Sequence, residues 1–452
     1  MDAQICLIPN RLWAQVSNDV LFEAQALADS FAHANPSNDD MDELFVFAMF
    51  LQHCSVHGSA RVAQAVFQSF CDMFDIASQD IHGIVGGRNY DEEEQVCKVL
   101  KAYFSAYALC KPPSPRSALL SSSGELSLMA VFGGNTGSAS YYDQAKQLVD
   151  IYGPLVSDFV IQMSEYVDGQ SRDRRFGKLY AGGLDIRKWI ADPKCVPRHE
   201  YLLSSPVSIP LIGLVQLMQL VVLYKTLGIS PGELACRFSV ATGHSQGIIS
   251  AVLLSTLTGD EDSFISGSKK ALGLWMLVGA FPQLAFPCYQ VFEHGSNGSA
   301  VGAEYTQPTP MVSVQGLTRS QLTKIIDGFN AGNCSRVQLA VANTVNRFVV
   351  AGQLENAAKF ARYAKSLSAA PGEDQTKLPL ALRKPVISVD FLGMTVPYHC
   401  DLLTESVKGI YAIAQEKGWT FDAADMRIAV RSSYDGHDIR SEPDLTKYLI
   451  ES

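Results

Sequence analysis

The five residues Gly243-His244-Ser245-Gln246-Gly247 stand between a short apolar run, Arg237-Phe238-Ser239-Val240-Ala241, and a longer one, Ile248-Ile249-Ser250-Ala251-Val252-Leu253-Leu254. The first run has the length of a buried strand, and the second reads as a helix with most of its surface apolar. A chain that passes from one to the other within five residues must set Ser245 on a sharp strand-to-helix turn. Glycines on both sides permit a strained backbone and close packing there, and the amides that open the new helix face whatever the hydroxyl meets. The centre of the chain is thereby committed to an α/β layer.

A serine presented this way becomes a nucleophile when a base can take its proton. His399, in Val396-Pro397-Tyr398-His399-Cys400, is the candidate base far downstream, and the pair points to covalent acyl transfer. The Gln246 N–H is the natural first donor to an oxyanion. Upstream, Ser127-Leu128-Met129-Ala130-Val131-Phe132 reads as a buried strand running into Gly133-Gly134-Asn135-Thr136-Gly137. That turn has no Lys-Ser/Thr ending and does not match G-x-G-x-x-G, so a phosphate cradle is disfavoured. Its glycines suit close backbone approach to a reacting group. His244 neighbours the nucleophile, but on such a turn its side chain is expected to point away from the hydroxyl, as a packing or pocket residue.

The chain has 452 residues, 47% hydrophobic and 18% charged, with a mean hydropathy of +0.07, enough for two or three packed units around a large core. Its start lacks the basic and apolar regions of a secretory signal. Ten cysteines without a C-x-x-C pair favour reduced thiols in a cytoplasmic protein, with no metal site and no bound cofactor expected. Ile209 to Leu227 resembles a membrane span, but Pro210, Gln216, Gln219 and Lys225 interrupt it and a buried core helix is expected, with no membrane partner. A net charge of −10 argues against nucleic-acid binding. One stretch runs the other way: Arg172 to Lys188 carries six cations against Asp173 and Asp185, either a solvated face or a docking patch for an acidic partner.

Residues 1–125 read as a mainly helical N-terminal segment and linker, with helical patterns at Val20 to Ala34, Met41 to Cys54, Ala60 to Phe74 and Glu92 to Cys110. Lys111-Pro112-Pro113-Ser114-Pro115 and Ser121-Ser122-Ser123-Gly124 break the pattern. From Pro308 the texture changes again: Met311 to Val314, Val337 to Asn343, Arg347 to Gly352 and Val386 to Asp390 read as strands, Ser320 to Phe329 and Glu355 to Ser366 as helices. This β-α-β-β-α-β order is that of a ferredoxin-like insert, assigned to 308–385, inside an α/β unit of 126–307 and 386–452. Ala369 to Asp374 is expected as a surface loop, and the glycosylation-like triplets at Asn297 and Asn333 carry no meaning without secretion.

Together these segments resemble the acyltransferase family of fatty-acid and polyketide synthases, and most closely the starter-unit acyl-carrier-protein transacylase domain of fungal non-reducing polyketide synthases. The residues that carry the resemblance are Val131-Phe132-Gly133-Gly134-Asn135, Pro210 to Leu217 with Ser230-Pro231-Gly232-Glu233-Leu234, Ala241 to Gly247, Val341-Ala342-Asn343 with Phe348 to Gly352, and Val396 to Cys400. The resemblance implies a malonyl-acyltransferase-like α/β fold, in which an α/β-hydrolase-like large subdomain is closed over by a ferredoxin-like small one. It also implies a Ser245–His399 dyad working by a ping-pong route, with backbone N–H groups of Gln246 and Asn135 as the oxyanion hole. A backbone carbonyl often orients the histidine in this family; Asp435, His437 and Asp438 are candidates for the edge of the site. The implied partners are acyl-coenzyme A or a fatty-acid synthase carrier as donor, the polyketide synthase acyl carrier protein whose phosphopantetheine arm accepts the acyl group, and a downstream ketosynthase in the same polypeptide.

Extender-loading members carry an Arg about 25 residues beyond the nucleophile that pairs with the malonyl carboxylate, whereas no Arg occurs here between Arg237 and Arg319. The corresponding segment, Ala271-Leu272-Gly273-Leu274-Trp275-Met276-Leu277-Val278-Gly279, is apolar throughout. A buried carboxylate would lack a partner there, so an uncharged group, acetyl or a short to medium fatty acyl chain, is expected. Trp275, Met276 and Gly279 are expected walls of its channel, and Gly134, His244 and Asn343 are expected to bind substrate. A serine hydrolase or thioesterase with the same dyad, and a non-catalytic docking domain of a megasynthase, are the alternatives.

Overall fold

Residues that alternate, that repeat every third or fourth position, or that are apolar all round fold here as strands, surface helices and core helices respectively. A computed structural model describes residues 2–8, 11–35, 41–76, 80–88, 90, 93–110, 127–137, 140–287, 307–332, 336–370, 372, 374–379 and 382–452. The expected linker at 111–125 and the triplets at Asn297 and Asn333 lie outside the described residues, as does part of the loop expected at 369–374.

The chain opens on an antiparallel hairpin, β1 (Asp2–Ile8) and β2 (Leu12–Ser17), which the expectation of a mainly helical start omits. Its signal is local: Leu12, Ala14 and Val16 are buried while Trp13, Gln15 and Ser17 are exposed, the period-two pattern of a half-covered strand. Helices α1 (Leu21–Ala34), α2 (Glu43–His57), α3 (Ala60–Met73), α4 (Ile81–Gly86) and α5 (Glu93–Cys110) follow. The α2 and α3 starts are fixed by Asp42 and Ser59, whose side chains accept from Phe45 N and Val62 N. These helices have no core of their own. Phe47, Phe70 and Tyr103 belong to one apolar cluster that continues through Leu214 and Trp275 to Leu449.

Beyond β3 (Leu128–Phe132), the long helices α6 (Ser140–Ser171) and α7 (Ser205–Thr226) lead to β4 (Phe238–Gly243), α8 (Gly247–Thr256) and α9 (Glu261–Ala285). By length and composition α7 could cross a membrane, but 83% of its most apolar window is buried inside the protein, as expected for a core helix.

The insert is β5 (Met311–Gln315), α10 (Arg319–Ala331), β6 (Val337–Thr344), β7 (Arg347–Gly352), α11 (Leu354–Ser366) and β8 (Ser388–Phe391). Its strands form an antiparallel sheet in the order β6-β7-β5-β8, the ferredoxin-like arrangement. A boundary at 385 would cut β8 from this sheet; because β8 pairs with β5 from Val312↔Phe391 to Gln315↔Ser388, the small sheet runs to Phe391. One face of it packs on α10 and α11 through Val312, Leu322, Phe348 and Phe360. The other face presents Met311, Val349 and Ala351 to Met394, next to Tyr398 and Cys400. The chain then returns through α12 (Thr404–Lys417), β9 (Ala429–Arg431) and α13 (Leu445–Glu451). β9 lies parallel to β4, and the large sheet has the order β3-β4-β9.

Candidate active site

The glycine turn and the serine turn leave the carboxyl ends of neighbouring parallel strands, where open α/β sheets form their binding crevices. Phe132 and Gly243 are paired across β3 and β4, and His244 N donates to Phe132 O at 2.9 Å. A side-chain carbon on Gly243 would come within 2.1 Å of the Gly247 carbonyl carbon, and one on Gly247 within 2.5 Å of Phe132 O. One on Gly134 would meet His244 Nδ1 at 2.7 Å. These glycines therefore serve close packing, and the left-handed backbone falls on the serine itself, at φ 51°. A non-glycine residue in that region costs roughly 1–3 kcal/mol and persists only where its surroundings enforce it.

His399 is held the same way, at φ 57°. Its Nε2 lies 2.9 Å from Ser245 Oγ. Burial is the main cause that lowers its pKa to about 4; the charge of nearby His244 acts in the same direction, and a hydrogen bond with the Ser452 backbone opposes them. The ring is therefore neutral at pH 7 and able to accept a proton. Asp435, His437 and Asp438 do not orient it: His437 lies between Asp435 and Glu442 at 2.6 and 2.7 Å, and Asp438 pairs with Arg440. The loop is fixed from the insert, where the Gln338 side chain donates to Asp401 Oδ2 at 2.8 Å and accepts from Asp401 N at 2.9 Å. From the large subdomain, Val278 O accepts from the Tyr398 hydroxyl at 3.2 Å.

The amides of Gly247, Ile248 and Ile249 each bond to a carbonyl three residues back. Those of Gln246 and Asn135 have no acceptor among the described residues, the condition an oxyanion donor needs before substrate arrives. The turn that carries Asn135 is braced from several sides. Gln216 Nε2 donates to Gly133 O at 2.7 Å while its Oε1 accepts from Ser250, Tyr141 OH accepts from Thr136 N at 2.9 Å, and Asn135 Oδ1 accepts from Gly137 N at 2.8 Å. Gln216 was visible in the sequence only as a polar interruption of an apolar helix. Its partners are 83 and 34 residues away, so no local pattern gave its role.

Residues 130–384, more than half of the chain, match the family described as "Starter unit:ACP transacylase in aflatoxin biosynthesis". The chain belongs to this transacylase family. The match takes in Ser245 and ends before His399. Fatty acid synthase subunit beta of Saccharomyces cerevisiae is 30% identical over 383 residues, covering 81% of this chain and 18% of the relative. The subunit of the same description from Schizosaccharomyces pombe is 32% identical over 379 residues, covering 81% of this chain and 17% of the relative. The chain thus spans less than a fifth of the length of these relatives. Among solved structures, a malonyl CoA-acyl carrier protein transacylase from Clostridium perfringens is 17% identical with a TM-score of 0.45, over 72% of this chain and 78% of that one.

In this member of the starter-unit transacylase family the remaining pocket candidates separate into two groups. His244 and Asn343 are exposed and meet across the crevice, His244 Nε2 to Asn343 Oδ1 at 3.0 Å, which links the serine turn to β6 of the insert. His244 makes no hydrogen bond to Ser245 among the described contacts, as expected, but it lies open in the crevice and is not a packing residue. Trp275, Met276 and Gly279, expected as channel walls, are core positions. Trp275 is fully buried over Gly213 and donates from Nε1 to Gln246 O at 3.2 Å. Met276 is 4% exposed and lies by Phe176 and Trp419. Gly279 lets α9 approach the α7 start, since a side-chain carbon there would be 2.4 Å from Ser205 O.

Proposed function

We propose that this chain is a starter-unit transacylase that moves an uncharged acyl group, acetyl or a short to medium fatty acyl chain, from coenzyme A to the phosphopantetheine thiol of an acyl carrier protein. The observation that carries this reading is the 2.9 Å contact between Ser245 Oγ and a neutral His399 Nε2. In the first half-reaction His399 takes the Ser245 proton as Oγ attacks the thioester carbonyl. The oxyanion is held by the Gln246 and Asn135 amides, and the departing thiolate leaves with the proton from His399. In the second, the arm thiol gives its proton to His399, sulfur attacks the serine ester, and Oγ recovers the proton as it leaves.

An uncharged substrate is supported by the lack of any arginine between Arg237 and Arg319 that could receive a carboxylate. The relatives named above are fatty acid synthase subunits, which favours a fatty-acid synthase carrier over a polyketide synthase carrier as the acceptor. A hydrolase that uses Ser and His would draw on a carboxylate to orient the imidazole, whereas Asp435 pairs with His437 and Asp438 with Arg440. Intact mass after mixing with acetyl-, hexanoyl- and malonyl-coenzyme A tests the proposal. A covalent adduct from the first two that is lost in Ser245→Ala is expected; no adduct from any donor would overturn it. Release of free acid in place of transfer to a carrier would make the chain a thioesterase.

A further inference from the structure

Between Arg172 and Glu200 the chain carries eight Lys and Arg against four acids, although its net charge is −10. The structure divides these cations. Arg172 pairs with Asp168, and Arg175 pairs with Asp173 and with Glu416 at the far end of α12. Lys188, Lys194 and Arg198 are exposed and have no ion pair among the described residues. The nearby carboxylates face the backbone: Asp185 accepts from Lys188 N at 3.1 Å and Asp192 from Lys194 N at 3.0 Å.

These three cations lie on a strap joined to both walls of the crevice. On one side Tyr142 OH donates to Trp189 O at 3.0 Å, and Tyr142 stands in the first turn of α6, directly after the glycine turn. On the other, Ser205 N donates to Thr395 Oγ1 at 3.2 Å, four residues before His399. Between them the glycine turn and the His399 loop touch, since a side-chain carbon on Gly137 would be 2.6 Å from Gly393 N. These buried contacts tie the segment that bears the three cations to the elements that carry the Asn135 turn and His399.

We propose that Lys188, Lys194 and Arg198 form the docking surface for an acidic carrier domain, holding it beside the crevice while its arm reaches Ser245. This rests on the transacylase reading of the site. Exposed cations act by steering an oppositely charged partner, so their contribution is felt in encounter and in salt dependence. The same charges could instead meet the phosphates of coenzyme A, and the test separates the two.

The variant Lys188→Glu/Lys194→Glu/Arg198→Glu of the full chain is compared with wild type and with Lys359→Glu/Lys365→Glu on α11. The Kd for a purified phosphopantetheinylated carrier domain of a fungal fatty acid synthase is measured by fluorescence anisotropy at low and high salt. Wild type and the α11 variant are expected to bind alike and to weaken with salt. The triple variant is expected to bind about tenfold more weakly at low salt and to lose most of its salt dependence, while its serine adduct forms from acetyl-coenzyme A at the wild-type rate. Equal carrier affinity in the triple variant, or slowed loading from coenzyme A with carrier affinity unchanged, would overturn the docking surface. Absence of any serine adduct in wild type would overturn the transacylase reading alone.

Discussion

Ser245 and His399 are 154 residues apart in the chain, meet at 2.9 Å, and both hold left-handed backbone. Asp75 is the one other non-glycine residue with positive φ among the described residues. Strain concentrated on the two groups that must meet indicates that packing, not local preference, sets their geometry. Replacing His399, the proposed base, while leaving the serine in place separates binding from chemistry. His399→Gln is expected to lower the rate of serine acylation by about 10²–10⁴-fold, with little change in donor affinity. Pre-steady-state quench-flow with acetyl-coenzyme A measures both quantities; an unchanged acylation rate would remove His399 from the mechanism.

The acid limb of the reaction follows from the same residue. With His399 as the proposed base, only its neutral form takes the serine proton, so the rate falls as pH drops through its pKa. Burial, aided by His244, sets that pKa near 4, and kcat/KM for acylation should stay level from pH 7 to about 5 before it declines. An ordinary imidazole would show the decline near pH 6.5. Because His244 lowers the value, His244→Gln should move the limb upward, by less than the full displacement since burial remains. A limb at 6.5 in wild type would contradict the buried, neutral base.

The elbow glycines allow a sharp contrast in stability. In Gly243→Ala the new methyl would fall 2.1 Å from the backbone of Gly247, and overpacking against backbone that cannot yield should cost about 3 kcal/mol or more. Gly169, inside α6, has open space around the same position, and Gly169→Ala should gain up to about 1 kcal/mol from helix propensity. Urea midpoints of the two variants should therefore move in opposite directions.

Gln216 braces the glycine turn through Gly133 O and is held in turn by Ser250. Gln216→Leu removes the donor to Gly133 O and leaves the buried Ser250 hydroxyl without its acceptor, a loss of about 1–3 kcal/mol. If Gln216 positions the Asn135 amide, kcat should fall while KM for acetyl-coenzyme A holds, and Gln216→Glu, which keeps the acceptor but not the donor, should not restore it. A variant that loses stability but keeps kcat would limit Gln216 to a packing role.

Much of this architecture was legible in the sequence wherever its signal was local. The β-α-β-β-α-β insert follows from periods of two and 3.6 residues between turn residues, and the serine elbow from two glycines between a strand and an apolar helix. The hairpin at Asp2 to Ser17 was also written locally, in six alternating residues, but its strands are short and precede a run of helices. β9 has only three residues, Ala429–Arg431, too few to show a period; its place beside β4 comes from the return of the chain after the insert.

The sequence by itself determined the residue types of the candidate site: a serine and a histidine proposed as nucleophile and base, glycines where backbones meet, and no arginine between Arg237 and Arg319. Only the tertiary structure decided which neighbours those residues keep. It turned Trp275, Met276 and Gly279 into core, gave Asp435, His437 and Asp438 to one another and nearby groups, and divided a single basic stretch into ion-paired cations and exposed ones with no ion pair among the described residues. The reason is physical. Period and propensity are properties of neighbours in sequence, whereas burial, ion pairing and the pKa of His399 depend on groups that folding alone brings together.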